Sequence, residues 1–146
     1  MDVKPGPFSD YTGFDRVQVL VSGSGLVLET PTGEIDVRQP FRPVRFTGET
    51  PIMSRLEAGP VEVVNLIGRR ARVKIDIVVL DEGRTLHVEP GTHFAYTPHG
   101  EATVAVQGDE RTLAADHALR LEVPVSTRLT GLRSSTLVAS ILERRE

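Results

Sequence analysis

Two stretches decide the fold: Arg72-Val73-Lys74-Ile75-Asp76-Ile77 and Val17-Gln18-Val19-Leu20-Val21. Each alternates with a period of two, the spacing of a β-strand, whose side chains project to opposite faces in turn. In the first, Val73, Ile75 and Ile77 share a face expected to meet the core. Arg72, Lys74 and Asp76 then face away. In the second, Val17, Val19 and Val21 share one face. Working outward, short apolar runs recur at 25–29, 34–37, 44–46, 52–56, 61–67, 86–88, 93–96, 103–107, 111–114, 118–123, 127–129 and 137–142. The chain holds 19 Val, 6 Ile and 13 Thr, and β-branched residues favour pleated strands. Its 13 Gly and 10 Pro fall between the runs, as turn punctuation. No window of 12 or more residues carries a clean helical period. The segment 135–145 fits a helix or a strand equally. Many short strands with frequent turns predict an all-β sandwich or barrel.

The 146 residues suit one domain. With 17 Lys plus Arg against 20 Asp plus Glu the net charge is −3, which argues against a nucleic-acid partner. No run reaches the roughly 18 apolar residues of a membrane span, and the first residues lack the apolar core of a signal peptide. The expectation is a cytoplasmic protein without a membrane partner. With no Cys, disulfides, thiolate nucleophiles and Cys-bound metals are excluded. Fifteen of the basic residues are Arg and two are Lys. Genome bias explains such a ratio. So does a need for guanidinium forks, which match carboxylates in pairs. The segments 56–70 and 132–145 also echo one another: aligned from their ends, Asn65 meets Ser140 and both close on Arg-Arg. Two similar β halves would make a duplicated jelly roll.

Gly6-Pro7-Phe8-Ser9, Asp15-Arg16, Pro40-Phe41, Phe46-Thr47-Gly48-Glu49-Thr50-Pro51, and Gly59-Pro60-Val61 leading to Asn65-Leu66 and Arg69-Arg70 occur in order. This series resembles the HutD/Ves family. It departs at Val63, where the family carries an acid, and at Glu49, where it carries Asp, as in a divergent or N-terminally shortened branch. The resemblance implies a bicupin: a cupin-type double-stranded β-helix with two halves, about 6–70 and 71–146, in one domain spanning 1–146. It also implies a regulatory or ligand-sensing role without established enzymatic activity, linked to histidine utilisation or stress metabolism. Small carboxylates such as formate or formylated glutamate are the implied ligands, with no cofactor.

Several side chains are candidates for that ligand. Arg16 either pairs with Asp15 or is solvated at a strand end, or it presents an anion fork at a barrel mouth. Arg55 lies with Met53 on the face opposite Ile52, Ser54 and Leu56, and that face is either solvated or luminal. Asn65 interrupts an apolar run, so it either ties two strands or offers its amide to a ligand. Phe8 and Ser9 are turn residues or a lid. Arg69 is a third basic candidate. The alternative class is a metal-dependent cupin isomerase or oxygenase using His93, His99 and Glu101, although the His-x-His of metal cupins is missing. A non-enzymatic reading is favoured over the enzyme. A third reading is a structural module pairing as a homodimer through an edge strand.

Overall fold

The computed structural model describes residues 2–3, 6–7 and 11–144. Among them every regular element is a strand, and no helix is long and apolar enough to cross a membrane. The chain divides into two compact units, Met1–Arg72 and Val73–Glu146.

Unit 1 contains β1 (Asp2–Val3), β2 (Gly6–Pro7), β3 (Phe14–Ser22), β4 (Leu26–Thr30), β5 (Gly33–Val37), β6 (Val44–Thr47), β7 (Met53–Leu56) and β8 (Val61–Arg69). They form two antiparallel four-stranded sheets, β1-β8-β3-β6 and β2-β7-β4-β5. Leu20, Val61 and Val63 of the first sheet pack with Leu26, Leu28 and Val37 of the second, closed by Ile52. Each such side chain contributes about 1.5–3 kcal/mol on leaving water. Because Leu20 points into this core, Arg16 and Gln18 on the same face of β3 point inward too. Val17, Val19 and Val21 on the opposite face are also buried. Both faces of the strand are thus covered, and the polar pair of the alternation lies on the inner one.

Unit 2 contains β9 (Val73–Leu80), β10 (Thr85–Val88), β11 (Gly91–Thr97), β12 (Ala102–Val106), β13 (Asp109–Leu113), β14 (His117–Val123), β15 (Thr127–Arg133) and β16 (Thr136–Glu143). Its sheets are β14-β11-β16-β9 and β10-β15-β12-β13, again antiparallel. Leu80 and Val138 from one sheet meet Val88, Val104 and Leu129 from the other. The β12–β13 hairpin turns on Gln107 and Gly108, with φ of 50° and 88°. Positive φ at both central residues matches the twist of a two-residue hairpin, and glycine takes it without strain.

One open reading is resolved here and one expectation changes. The segment 135–145 is a strand, β16, pairing on both sides with β11 and β9. In β9 the apolar triplet does not mark the inner face. Leu80 belongs to the unit's core cluster, so Val78 and Asp76 share its inward face, while Ile77, on the other face, is fully buried as well. A strand covered on both sides keeps its period of two but no longer tells inside from outside.

In each unit the first long strand runs antiparallel beside the last one: β3 against β8, β9 against β16. Gln18 pairs in register with Asn65, and Asp76 with Ser140. The two residues aligned by the sequence echo therefore occupy the same place, midway along the inner face of a last strand.

Candidate functional site: the interior of unit 1

Arg16 is 6% exposed and sits on the inner face of β3, between Phe46 on β6 and Ile67 on β8. Its guanidinium carbon lies 4.8 Å from the centre of the Tyr11 ring and 4.9 Å from that of Phe46. Both distances are within cation–π range, worth about 0.5–2 kcal/mol each as water is excluded. Burial pushes the Arg16 pKa down, and Tyr11 opposes that shift. The group nonetheless stays cationic, since guanidinium does not deprotonate in proteins. The site therefore holds a permanent positive charge within an aromatic frame.

Two residues along the same face, roughly 6.6 Å further on at strand rise, lies Gln18, which is fully buried. Its Nε2 donates to Asn65 Oδ1 at 3.0 Å. Its Oε1 is buried and accepts no hydrogen bond from the described residues. An amide acceptor left so costs on the order of 1–3 kcal/mol.

A charged clamp stands at the start of β3. Asp15, adjacent to Arg16 but on the opposite face, accepts from Arg70 Nε at 2.7 Å. Arg70 also donates to both Glu49 carboxylate oxygens, at 2.8 and 3.1 Å, and to the Phe14 carbonyl at 3.0 Å. Glu49 in turn accepts from the Gly13 N–H at 3.1 Å. The hydrogen bonds from Arg70 and Gly13 hold the Glu49 carboxyl at about 2, against an ordinary 4.5. The clamp fixes the segment 11–14 that carries Tyr11. Gly48 completes it, donating to the Phe14 carbonyl at 2.8 Å while its own carbonyl accepts from Tyr11 N–H at 3.3 Å. A Cβ at residue 48 would lie 1.8 Å from the Tyr11 carbonyl oxygen, so only glycine fits.

Of the residues singled out from sequence, Arg16 and Asn65 come together on one inner surface. Arg69 lies at the end of β8, exposed, with its guanidinium carbon 5.5 Å from the Phe14 ring. Arg55 is not with them. Ser54 is the buried neighbour on β7, and Arg55 stands on the outer face, half exposed, bonded to Glu29 at 2.8 Å with Glu34 and Glu57 nearby. Phe8 and Ser9 lie outside the described residues. Gln18 and Tyr11 were missed. Gln18 carried a signal, because it alternates with valines in a strand and shares a face with Arg16. Tyr11 carried none, since a loop residue's contacts depend on how the chain folds back.

The metal-ligand alternative is not assembled. His93 is 1% exposed, and both ring nitrogens are engaged: Nε2 with the Glu89 carbonyl and Nδ1 with Ser140 Oγ, each at 2.7 Å. His99 is an exposed turn residue, and Glu101 pairs with Arg133 at 3.3 Å. Among the described residues no group of three or more His, Asp or Glu is placed to hold a metal ion.

Solved structures share this architecture. PA5104 from Pseudomonas aeruginosa PAO1, described as a conserved protein of unknown function, is 23% identical with a TM-score of 0.85, over 99% of this chain and 80% of that one. HutD from Pseudomonas fluorescens SBW25, in a formate condition, is 23% identical with a TM-score of 0.81, over 99% and 77%. A cupin 2 conserved barrel domain protein from Leptotrichia buccalis is 12% identical with a TM-score of 0.56, over 99% and 78%. At these identities the likeness is one of fold, and that fold is the all-β cupin jelly roll. No curated protein matches the chain by sequence. A family model described as HutD matches residues 3–139. The chain belongs to the HutD family.

Proposed function

We propose that this protein is a non-enzymatic cupin that binds a small carboxylate inside unit 1, as a sensor or sequestering protein linked to histidine utilisation. The observation that carries the reading is Arg16: a guanidinium 6% exposed, between two aromatic rings, on the same face as the Gln18–Asn65 amide pair. A carboxylate reaching it forms charge-assisted bonds about twice as strong as neutral ones, with little water to compete. The described formate condition of the HutD relative is in keeping with such a ligand. Gln18 Oε1 sharpens the choice. Ionised formate has no donor for it, whereas the amide N–H of an N-formyl amino acid does. N-formylglutamate is therefore expected to bind more tightly than formate.

Thermal shift with formate, N-formylglutamate, urocanate and glutamate tests the proposal. A ligand at one hundred times its Kd stabilises by about 2.7 kcal/mol, a rise of several degrees. Arg16→Ala should remove that rise. If none of the four raises Tm, the carboxylate reading fails. If formate and N-formylglutamate bind equally, the role given to Gln18 fails.

A further inference from the structure

We infer that β14 is a self-association edge: two copies of this chain join by pairing their β14 strands antiparallel, about a two-fold axis at Leu121. Both strands belong to unit 2, and the carboxylate site of unit 1 takes no part.

β14 is an open edge. It ends the sheet β14-β11-β16-β9, so a neighbouring strand lies on one of its sides and, among the described residues, none on the other. The ladder with β11 is regular, from Gly91 opposite Val123 to Thr97 opposite His117, without a bulge. Outside that ladder the bonds of β14 are local. The His117 N–H donates to the Ala114 carbonyl, its ring Nδ1 meets the Ala115 carbonyl, and the Glu122 carboxylate accepts from Arg120 and Thr92. His117, Ala118, Arg120 and Glu122 are exposed. A row of unpaired N–H and C=O groups is a template for another strand, and proteins blunt such rows with bulges, proline, short length or charge. β14 is seven residues long and holds no proline. Its remaining defence is charge, and that charge is of both signs.

The signs are arranged to suit a second copy. Where two identical edge strands extend one sheet about a two-fold axis, side chains of the same face stand opposite each other. Ala118, Arg120 and Glu122 share the outer face of β14, with Arg120 over the Phe94 ring at 5.9 Å. Leu119, Leu121 and Val123 share the inner face, and Leu121 and Val123 pack on the unit's core. Centring the pair on Leu121 sets Arg120 of each copy opposite Glu122 of the other, so two ion pairs form. On the inner face Leu121 meets Leu121, and Leu119 meets Val123. Centring on Arg120 or Glu122 instead sets like charges directly opposite, which is destabilising. Charge thus favours both the pairing and its register. Pro124, which has no N–H, stops the ladder just beyond Val123. The edge strand β5 shows the contrary design. Glu34 and Asp36 share its outer face, so two copies pairing there would set acid against acid.

Sedimentation velocity on the full chain, from about 10 µM to about 1 mM, tests this. A monomer–dimer equilibrium is expected, with Kd on the order of 100 µM because a single-strand interface is small. Salt should weaken it, since the ion pairs lie at the surface. Arg120→Glu and Glu122→Arg each replace attraction by repulsion and should weaken the dimer about tenfold or more. The double variant R120E/E122R restores opposite charges and should return Kd to within about threefold of the parent. All three changes are at exposed positions, and circular dichroism checks that the variants fold. Amide hydrogen exchange in residues 119–123 should slow as concentration rises. A monomer throughout the range overturns the inference. So does a dimer indifferent to Arg120→Glu, or a double variant no better than the single ones.

Discussion

Gln18–Asn65 in unit 1 and Asp76–Ser140 in unit 2 occupy the same step on the same kind of strand pair, yet they are supported differently. The amides of unit 1 bond to each other, and the nearby cation is buried against Tyr11 and Phe46. The pair of unit 2 leans on a third strand, through a buried His93 whose far nitrogen is tied to the turn before β11. Its cation, Lys74, is exposed. One scaffold thus holds a buried cation with a neutral amide pair in one unit and an exposed cation with an acidic pair in the other, because the inner face of a β-sandwich sets positions and leaves the residue at each position free to define the chemistry.

The largest effect that would sharpen this contrast is expected at His93. His93→Ala leaves a ring-sized cavity and strands both Ser140 and the Glu89 carbonyl, at a cost of about 3–5 kcal/mol. Asn65→Ala removes the hydrogen bond accepted from Gln18 Nε2 and should cost about 1–2 kcal/mol. Urea unfolding followed by NMR signals from each unit measures both, and equal costs would break the comparison.

Next in size is Gly48→Ala. The added methyl meets the Tyr11 carbonyl, and overpacking of this kind costs about 1–3 kcal/mol. The effect should appear as faster hydrogen exchange in residues 11–14 and weaker carboxylate binding, with unit 2 unchanged.

Arg16→Met should separate stability from binding. Replacing a buried cation by an apolar side chain of similar length is often neutral or stabilising, so the denaturant midpoint should hold or rise while the formate response vanishes. Lys74→Ala, by contrast, should alter stability by less than about 0.5 kcal/mol. A large loss of stability in Arg16→Met would make that residue a structural strut and not a ligand group.

The smallest effect concerns acid. The Glu49 carboxyl titrates at about 2 in the folded chain against an ordinary 4.5. Its contribution is therefore complete above about 4.5 and is lost as pH falls toward 2. Hydrogen exchange at Gly13 and Phe14 should quicken over that window, and Glu49→Gln should flatten the response.

Much of this was legible before folding. Alternation at 17–21 and 72–77, β-branched composition and turn spacing identified an all-β protein, and the ordered motifs from Gly6 to Arg70 identified the family. Arg16 and Asn65 stood out as a basic and a polar residue within apolar strands. Arg55 looked equivalent, but its burial depended on which face of β7 met the core, and Ser54 took that side. Asp76 looked solvent-facing for the same reason in reverse: β9 is covered on both faces, so hydropathy could not rank them. The segment 135–145 was ambiguous because its periodicity served both readings, and only pairing with β9 and β11 decides for a strand.

By itself the sequence determined the period of the strands, the absence of thiol chemistry and the family, since each of these is carried by residue type and order along the chain. The tertiary structure alone decided which face is inside, that Asp15 pairs with Arg70, and that Tyr11 and Phe46 frame the Arg16 guanidinium on the face that also carries Gln18 and Asn65. Those facts depend on register between strands and on loops folding back, and a one-residue change of register moves every side chain to the other face.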